Sequence, residues 1–459
     1  MLDLSFDARL ELIAPEDETT EESVILIGTS SNGPNLSMTR AFSHRDAINM
    51  FGSGELVRGA YEALGAGASR VYLIKIGGKE AETNLRDSGG NIVAKAQSFF
   101  AGDDYNNIKI EVKDNDLTIY YEGDDNKRKL VSYNLYGKTY GDLREETIEN
   151  LYKGISPILI EPYEKFVSLV DLRSTEKSLS GGASNEDMNI DERYEYLEEA
   201  LEHIRSIDIP GIVVPISCHI DKKPEILRLV NDYCSVRNKE GVGTISVLPV
   251  SSPSDDITTG HNYVTAIAGE ATFRISDINP DALDLNDNNV LSYVNTCESV
   301  CAGFINSLRF SESPANKTIQ GIINYEISDD FDKDKLEEVG ISYIIQTIRK
   351  GLVLKDSLSL SSRQAFRPIE SIRTVTHIRD AIRRMLDGNI GSPVIEAMDA
   401  SMKVDEYLAY LKSNNDIRDY TFNIRPRGLH QLVIEMEIIP INTIKLVQTN
   451  LSVGVRWDS

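Results

Sequence analysis

"VILIGTSSNGP", residues 24–34, is the stretch that decides the fold. Four consecutive apolar residues, Val24–Ile27, are too few for a helix and suit a strand buried on both faces. The run breaks into Gly28, Thr29, Ser30, Ser31, Asn32, Gly33 and Pro34, residues that turn a chain. Helical spacing follows in "SHRDAINMFG" and in "GELVRGAYEALGAG", the second ended by Gly65 and Gly67, and "SRVYLIKIG" then reads as another buried strand. Strand, helix and strand at this spacing form a βαβ unit, so a parallel α/β sheet is expected. The loop has the outline of a phosphate site without its chemistry. A phosphate-binding loop needs Lys after its second Gly and then Ser or Thr. Here Gly33 is followed by Pro34, which has no N–H to donate, and Lys79 in "IGGKEAET" is followed by Glu80. No cofactor is expected.

Working outward to the N-terminus, "LSFDARLEL" (4–12) alternates without error. Leu4, Phe6, Ala8, Leu10 and Leu12 face one way, the signature of a half-buried strand. The next nine residues, "APEDETTEE" (14–22), are acidic and aperiodic, a tether able to span up to ~30 Å. A strand on such a tether need not pair within its own domain. No basic n-region or long apolar core precedes it, so neither a signal peptide nor a membrane helix is expected, and the chain reads as cytoplasmic.

Working outward to the C-terminus, residues 89–155 hold short alternating strands, "NNIKIEV", "DLTIYYE" and "KLVSYNLYG", which read as a small all-β insertion. The α/β pattern returns in "KFVSLVDL", "IDERYEYLEEALEHIRSI", "IPGIVVPIS", "KPEILRLVNDYCSV" and "GTISVLPVSS". From about residue 340 it changes again. "GISYIIQTIRKGLVLKD" reads as strands around Arg349–Gly351, and "FRPIESIRTVTHIRDAIRRMLDG" as a helix with Pro368 near its start and Gly388 past its end. "VDEYLAYLKSN" is a shorter helix, and "DYTFNIRP", "LHQLVIEMEIIP", "INTIKLVQTN" and "LSVGVRW" are strands. The organisation is therefore α/β and α+β multidomain. It divides into an arm and linker (1–22), an α/β domain (23–88 plus 156–339), the insertion (89–155) and a C-terminal α+β domain (340–459).

The 459 residues carry a net charge of −24, which argues against a nucleic-acid backbone as partner. The charge is uneven. Residues 340–459 hold 16 Lys and Arg against 13 Asp and Glu, a net +3, and the rest hold 32 against 59, a net −27. Such asymmetry suits ordered contact, including contact between copies. Within the helix after Arg367, Ile372, Val375, Ile378, Ile382, Met385 and Leu386 share one face; Arg373, His377, Arg383 and Arg384 fall opposite, with Asp380 the only acid among them. This is either a solvated basic face or a docking face for an acidic partner.

Catalytic and metal-binding patterns fail on chemistry. "GTSS" (Thr29–Ser31) and "GHN" (His261) echo subtilisin motifs in the wrong chain order, and there is no G-x-S-x-G elbow. His44, His203, His219, His261, His377 and His430 are scattered. "DINPDALDLNDNN" (277–289) lacks the ligand order of a calcium loop. Cys297 and Cys301, read as one helix in "VLSYVNTCESVCAGFINSL", and Cys218 and Cys234 read as reduced core thiols rather than zinc ligands.

Taken in order, "VILIGTSSNGP", "FGSGELVRGAYEALGAGASRVYLIKIGG", "IPGIVVPIS", "GISYIIQTIRKGLVLKDSLSL", "FRPIESIRTVTHI", "DYTFNIRP" and "LVIEMEIIPINTIKLVQT" span nearly the whole chain. The ordered set resembles the contractile tail sheath proteins of phages, R-type bacteriocins and related injection machines. The resemblance implies a subtilisin-like α/β domain without catalysis, an inserted β-sandwich and extended terminal β arms. It also implies a non-enzymatic subunit that stacks in hexameric rings around a tail tube and contracts to drive the tube through a cell envelope. Partners would be further copies, the tail tube protein, and baseplate and tail terminator proteins, with no nucleic acid and no direct membrane insertion. The location would be the virion tail, assembled in the host cytoplasm. Leu4, Phe6, Ala8, Leu10 and Leu12, with Ile444, Leu446, Leu451 and Val453, would be the inter-subunit arm residues. Arg373, His377, Arg383 and Arg384 would face the tube. A non-contractile tube or baseplate protein and an α/β enzyme acting on a nucleotide or sugar are the alternatives.

Overall fold

The computed structural model describes residues 22–123, 126–153, 155–163, 172, 175–184, 188–251, 260–274, 292–327, 333–387, 397–426 and 432–441. Its centre is a seven-stranded sheet. From edge to edge the strands are Ile341–Ser342, Val264–Ala268, Thr244–Val250, Gly211–Pro215, Ser23–Gly28, Val71–Lys75 and Met38–Ala41. All neighbours run parallel except the last pair. Ser23–Gly28, the strand that opens the loop at 28–34, is central, with Val24 in register with both Ile212 and Val71.

Every residue of that strand is buried because helices cover both faces. Val24 and Leu26 enter one core, with helices His44–Phe51, Glu55–Gly65 and Glu298–Ser307. Ile25 and Ile27 enter the other, with helices Ile190–His203, Pro224–Lys239 and Lys333–Val339. Two cores explain why the strand is an unbroken apolar run. Local signals set the helix starts: Ser43 accepts from Asp46 N, Asn189 and Glu192 form a capping box, and Pro224 occupies the first turn. Gly303 lets two helices touch, since a Cβ there would lie 2.3 Å from the Ala63 carbonyl oxygen.

Two antiparallel sheets share a third core. One orders Thr175–Ser178, Ile108–Lys113, Asp116–Gly123 and Asn126–Asn134; the other orders Glu80–Arg86, Ile92–Ala101 and Ile158–Pro162. That core reaches from Ala81 to Leu179, so the unit extends past 89–155 on both sides. "EAETNLR" (80–86) buries only Ala81 and Leu85, too little apolar periodicity to reveal a strand. Helix Tyr140–Tyr152, capped by Thr139, is a further element not anticipated from sequence.

The boundary at 340 is also not clean. Ile341–Ser342 is the edge strand of the main sheet, and the hairpin of Ile344–Thr347 with Gly351–Leu354 feeds Ile344 and Leu354 into the first core. The long helix Ile369–Asp387 serves two cores. Ile369 and Ile372 belong to the α/β body, whereas Ile378 and Ile382 pack with Val404, Leu408 and Leu411 of helix Ala397–Ser413. Over this second core lies the hairpin of Ile417–Pro426 with Leu432–Pro440. The helix reading of Cys297 is corrected too: it follows strand Ser292–Thr296 as the N-cap of Glu298–Ser307, so it precedes the helix that holds Cys301. All four cysteines are free and buried. No helix among the described residues is long and apolar enough to cross a membrane.

Candidate functional site

In an open parallel sheet, ligands bind outside the carboxyl ends of the strands where the strand order reverses. Here that point lies between Ser23–Gly28 and Gly211–Pro215, beside the opening loop. The chain's own charges fill it. Glu55 Oε1 accepts from Thr29 N at 2.8 Å and from Arg193 Nη1 at 2.5 Å. Arg193 also donates to the Ile216 carbonyl at 3.2 Å. Glu298 Oε1 accepts from Ser217 N at 3.1 Å and Thr296 Oγ1 at 2.9 Å. Glu55, Arg193 and Glu298 are buried. The N–H of Thr29 that a phosphate would use is thus committed to a carboxylate. Burial pushes the Cys218 thiol up to about 12 and His219 down to about 4, which leaves both neutral at physiological pH. Among the described residues, no group of three or more His, Cys, Asp or Glu could hold a metal ion.

The helix Ile369–Asp387 carries the sequence-selected basic residues, and the structure does not gather them on an open face. Arg373 is 2% exposed. Its Nε and Nη2 donate to Glu22 Oε2 at 3.0 and 2.6 Å, and Nη2 and Nη1 reach the Leu308 and Arg309 carbonyls at 3.1 and 3.3 Å. His377 stacks on Phe310 with ring centroids 4.0 Å apart, and burial pushes it down to about 4. Arg383 Nη2 grips both oxygens of Asp208 at 2.5 and 2.6 Å, and Arg384 Nε bonds Asp380 at 3.0 Å. Arg379, one turn earlier, donates to the Asn238 carbonyl at 2.7 Å. The solvated-face reading is therefore corrected. Asp380 meets Arg384 from the same helix, whereas carboxylates and carbonyls far away in sequence compensate Arg373, Arg379 and Arg383, which helical periodicity cannot reveal. Glu22 is the last residue of the acidic tether, and Asn306 Nδ2 also holds its carbonyl at 2.7 Å. The base of the N-terminal segment is thus clamped to the joint between the α/β body and the C-terminal helices.

The second feature is the terminal hairpin. Tyr420, Phe422, Ile424, Ile434, Met436 and Ile438 turn inward onto the helices, while Glu435, Glu437 and Ile439 are exposed. No further strand pairs with either of its strands among the described residues. Such edges are templates for another strand. Leu4, Phe6, Ala8, Leu10, Leu12, Ile444, Leu446, Leu451 and Val453, the expected arm residues, lie outside the described residues.

No family model matches the chain, and no curated protein does. Solved structures do. The sheath tail protein of Desulfitobacterium hafniense superposes with a TM-score of 0.57 at 12% identity, over 93% of this chain and 98% of that one. The sheath tail protein Lin1278 of Listeria innocua gives 0.59 at 13% identity, over 92% and 95%. The contracted helical sheath of the anti-feeding prophage gives 0.52 at 11%, over 95% and 93%. The chain has the fold of the contractile sheath proteins.

Proposed function

We propose that this chain is the sheath subunit of a contractile tail, a structural protein and not an enzyme. It polymerises as stacked hexameric rings around a tail tube and contracts to drive the tube through a cell envelope. The observation that carries this reading is the hairpin of Ile417–Pro426 with Leu432–Pro440, whose edges have no further strand among the described residues, set in a sheath fold that spans nearly the whole chain. Residues 1–13 of one subunit, and the segment past residue 441, would add to such hairpins on neighbours. Strand addition supplies backbone hydrogen bonds, and alternate side chains give the fit. Head-to-tail contacts of this kind do not close on themselves and build a helical array. The tether at 14–22 lets neighbours reorient while the strands stay paired, so contraction is repacking between bodies.

On this reading the seven-stranded domain is the subtilisin-like one, held shut by Glu55 and Arg193 in place of catalysis, and the two-sheet unit is the inserted β-sandwich. The tube protein, baseplate and tail terminator are the expected partners, in a virion tail. The tube-facing proposal narrows to Arg383 and Arg384, which keep 23% and 28% side-chain exposure. Deleting residues 1–13 tests the whole reading. The truncated chain should melt like the full chain yet stay dispersed in sedimentation under conditions where the full chain pellets. A truncated chain that still polymerises overturns strand addition.

A further inference from the structure

A polar cleft of about 670 Å³ lies beside the clamp on Glu22, between the α/β body and the turn at 414–416. Arg309, Lys317 and Lys350 line it, against the acids Glu312 and Asp416. Glu312 pairs with Lys317, Asp416 Oδ1 accepts from Ser311 Oγ at 2.6 Å, and Lys350 Nζ donates to the Asn316 carbonyl at 2.9 Å, so Arg309 and Lys350 are the cations outside the Glu312–Lys317 pair. In a chain of net charge −24, a cleft with a cationic surplus is a local exception. One polar group in it is orphaned. Ser313 Oγ is buried, on a residue 7% exposed, and has no hydrogen-bond partner among the described residues. A buried hydroxyl without a partner is costly.

We propose that this cleft is the docking site of the chain's own acidic tether, Ala14–Glu21. Position and charge both select that occupant. Arg373 binds Glu22 and the Leu308 and Arg309 carbonyls at once, so the tether leaves the fold beside the first cation of the cleft. Glu16, Asp17, Glu18 and Glu21 carry the complementary charge. Eight residues reach at most ~29 Å, enough to enter an adjacent cleft and short enough to keep the effective concentration high. Docking shortens the reach of the N-terminal strand, and release lengthens it. The cleft would thereby set how far a neighbour can move while still tethered. Docking needs one chain only, so its failure and the failure of the assembly reading are separate results.

Amide hydrogen exchange of segment 14–21 in the full chain, at a dilution where light scattering finds monomer, tests this. Two exposed ion pairs, to Arg309 and Lys350, predict about fivefold slower exchange at low salt than in the Glu16→Gln/Asp17→Asn/Glu18→Gln variant, whose changes lie outside the folded core. Added salt should remove the difference. Arg309→Glu with Lys350→Glu should abolish the protection with the same melting temperature, and Asp17→Lys with Glu18→Lys in that background should restore part of it. Equal exchange in the full chain and the neutralised variant overturns the proposal. Protection that disappears on further dilution also overturns it, because the occupant would then be the tether of another copy.

Discussion

Arg373 and Glu22, 351 positions apart in sequence, form a nearly buried ion pair, with Nη2 2.6 Å from Oε2. Their side chains are 2% and 18% exposed. The pair joins the first described residue to the helix that bridges two cores, so it fixes where the N-terminal segment departs.

Arg373→Ala would leave Glu22 and the Leu308 and Arg309 carbonyls without their donor. Breaking a buried pair on one side costs about 3–5 kcal/mol, and partial solvation of Glu22 puts this case at the lower end. Urea unfolding should show a loss of about 3 kcal/mol. Glu22→Gln, which keeps an acceptor, should lose less. Equal stability of Arg373→Ala and the parent chain would contradict the clamp.

His377 predicts acid sensitivity. Its folded pKa, about 4, lies below its ordinary value of 6.5 because burial disfavours the imidazolium. The unfolded chain therefore binds more protons between those values, and stability falls as the pH drops from about 6.5 through 4. His377→Phe keeps the stacking on Phe310 and removes the titration. Melting temperatures from pH 7 to pH 4 should fall less steeply in that variant than in the parent.

Glu62 predicts the opposite slope. Burial raises its carboxyl to about 8, partly offset by hydrogen bonds from Asn295 and Tyr293. Between 4.5 and 8 the folded chain keeps a proton that the unfolded chain has lost, so this group's contribution falls as pH rises through that window. Glu62→Gln retains an acceptor for Asn295. Its stability relative to the parent should increase from pH 6 to pH 9, and a constant difference would rule out a neutral Glu62.

Gly303→Ala should cost about 1–3 kcal/mol, because the new methyl would meet the Ala63 backbone and push two helices apart. Thermal unfolding reads this directly. Gly65→Ala, where a Cβ meets nothing within 4 Å, is the matched control and should be near neutral or slightly stabilising.

What was legible in sequence was what repeats locally. The runs "VILIG" and "IPGIVVPIS" read as strands, and "IDERYEYLEEALEHIRSI" and "KPEILRLVNDYCSV" fall in the α/β alternation where helices Ile190–His203 and Pro224–Lys239 lie. Glu80–Arg86 and Met38–Ala41 were hidden because short edge segments carry little apolar periodicity. The burial of the basic helix is hidden from the sequence for a different reason. Periodicity identifies which residues share a face, but Glu22 and Asp208, which compensate Arg373 and Arg383, arrive through tertiary folding. The same holds for Glu55 and Arg193, 138 positions apart, which fill the strand-end crevice that the loop at 28–34 suggested.

Negative-stain electron microscopy of the purified full chain, alone and with a tail tube protein, tests the central claim most directly. The sheath reading predicts long hollow cylinders of stacked six-membered rings, lost on deletion of residues 1–13. Dispersed monomers or closed oligomers under both conditions would contradict it.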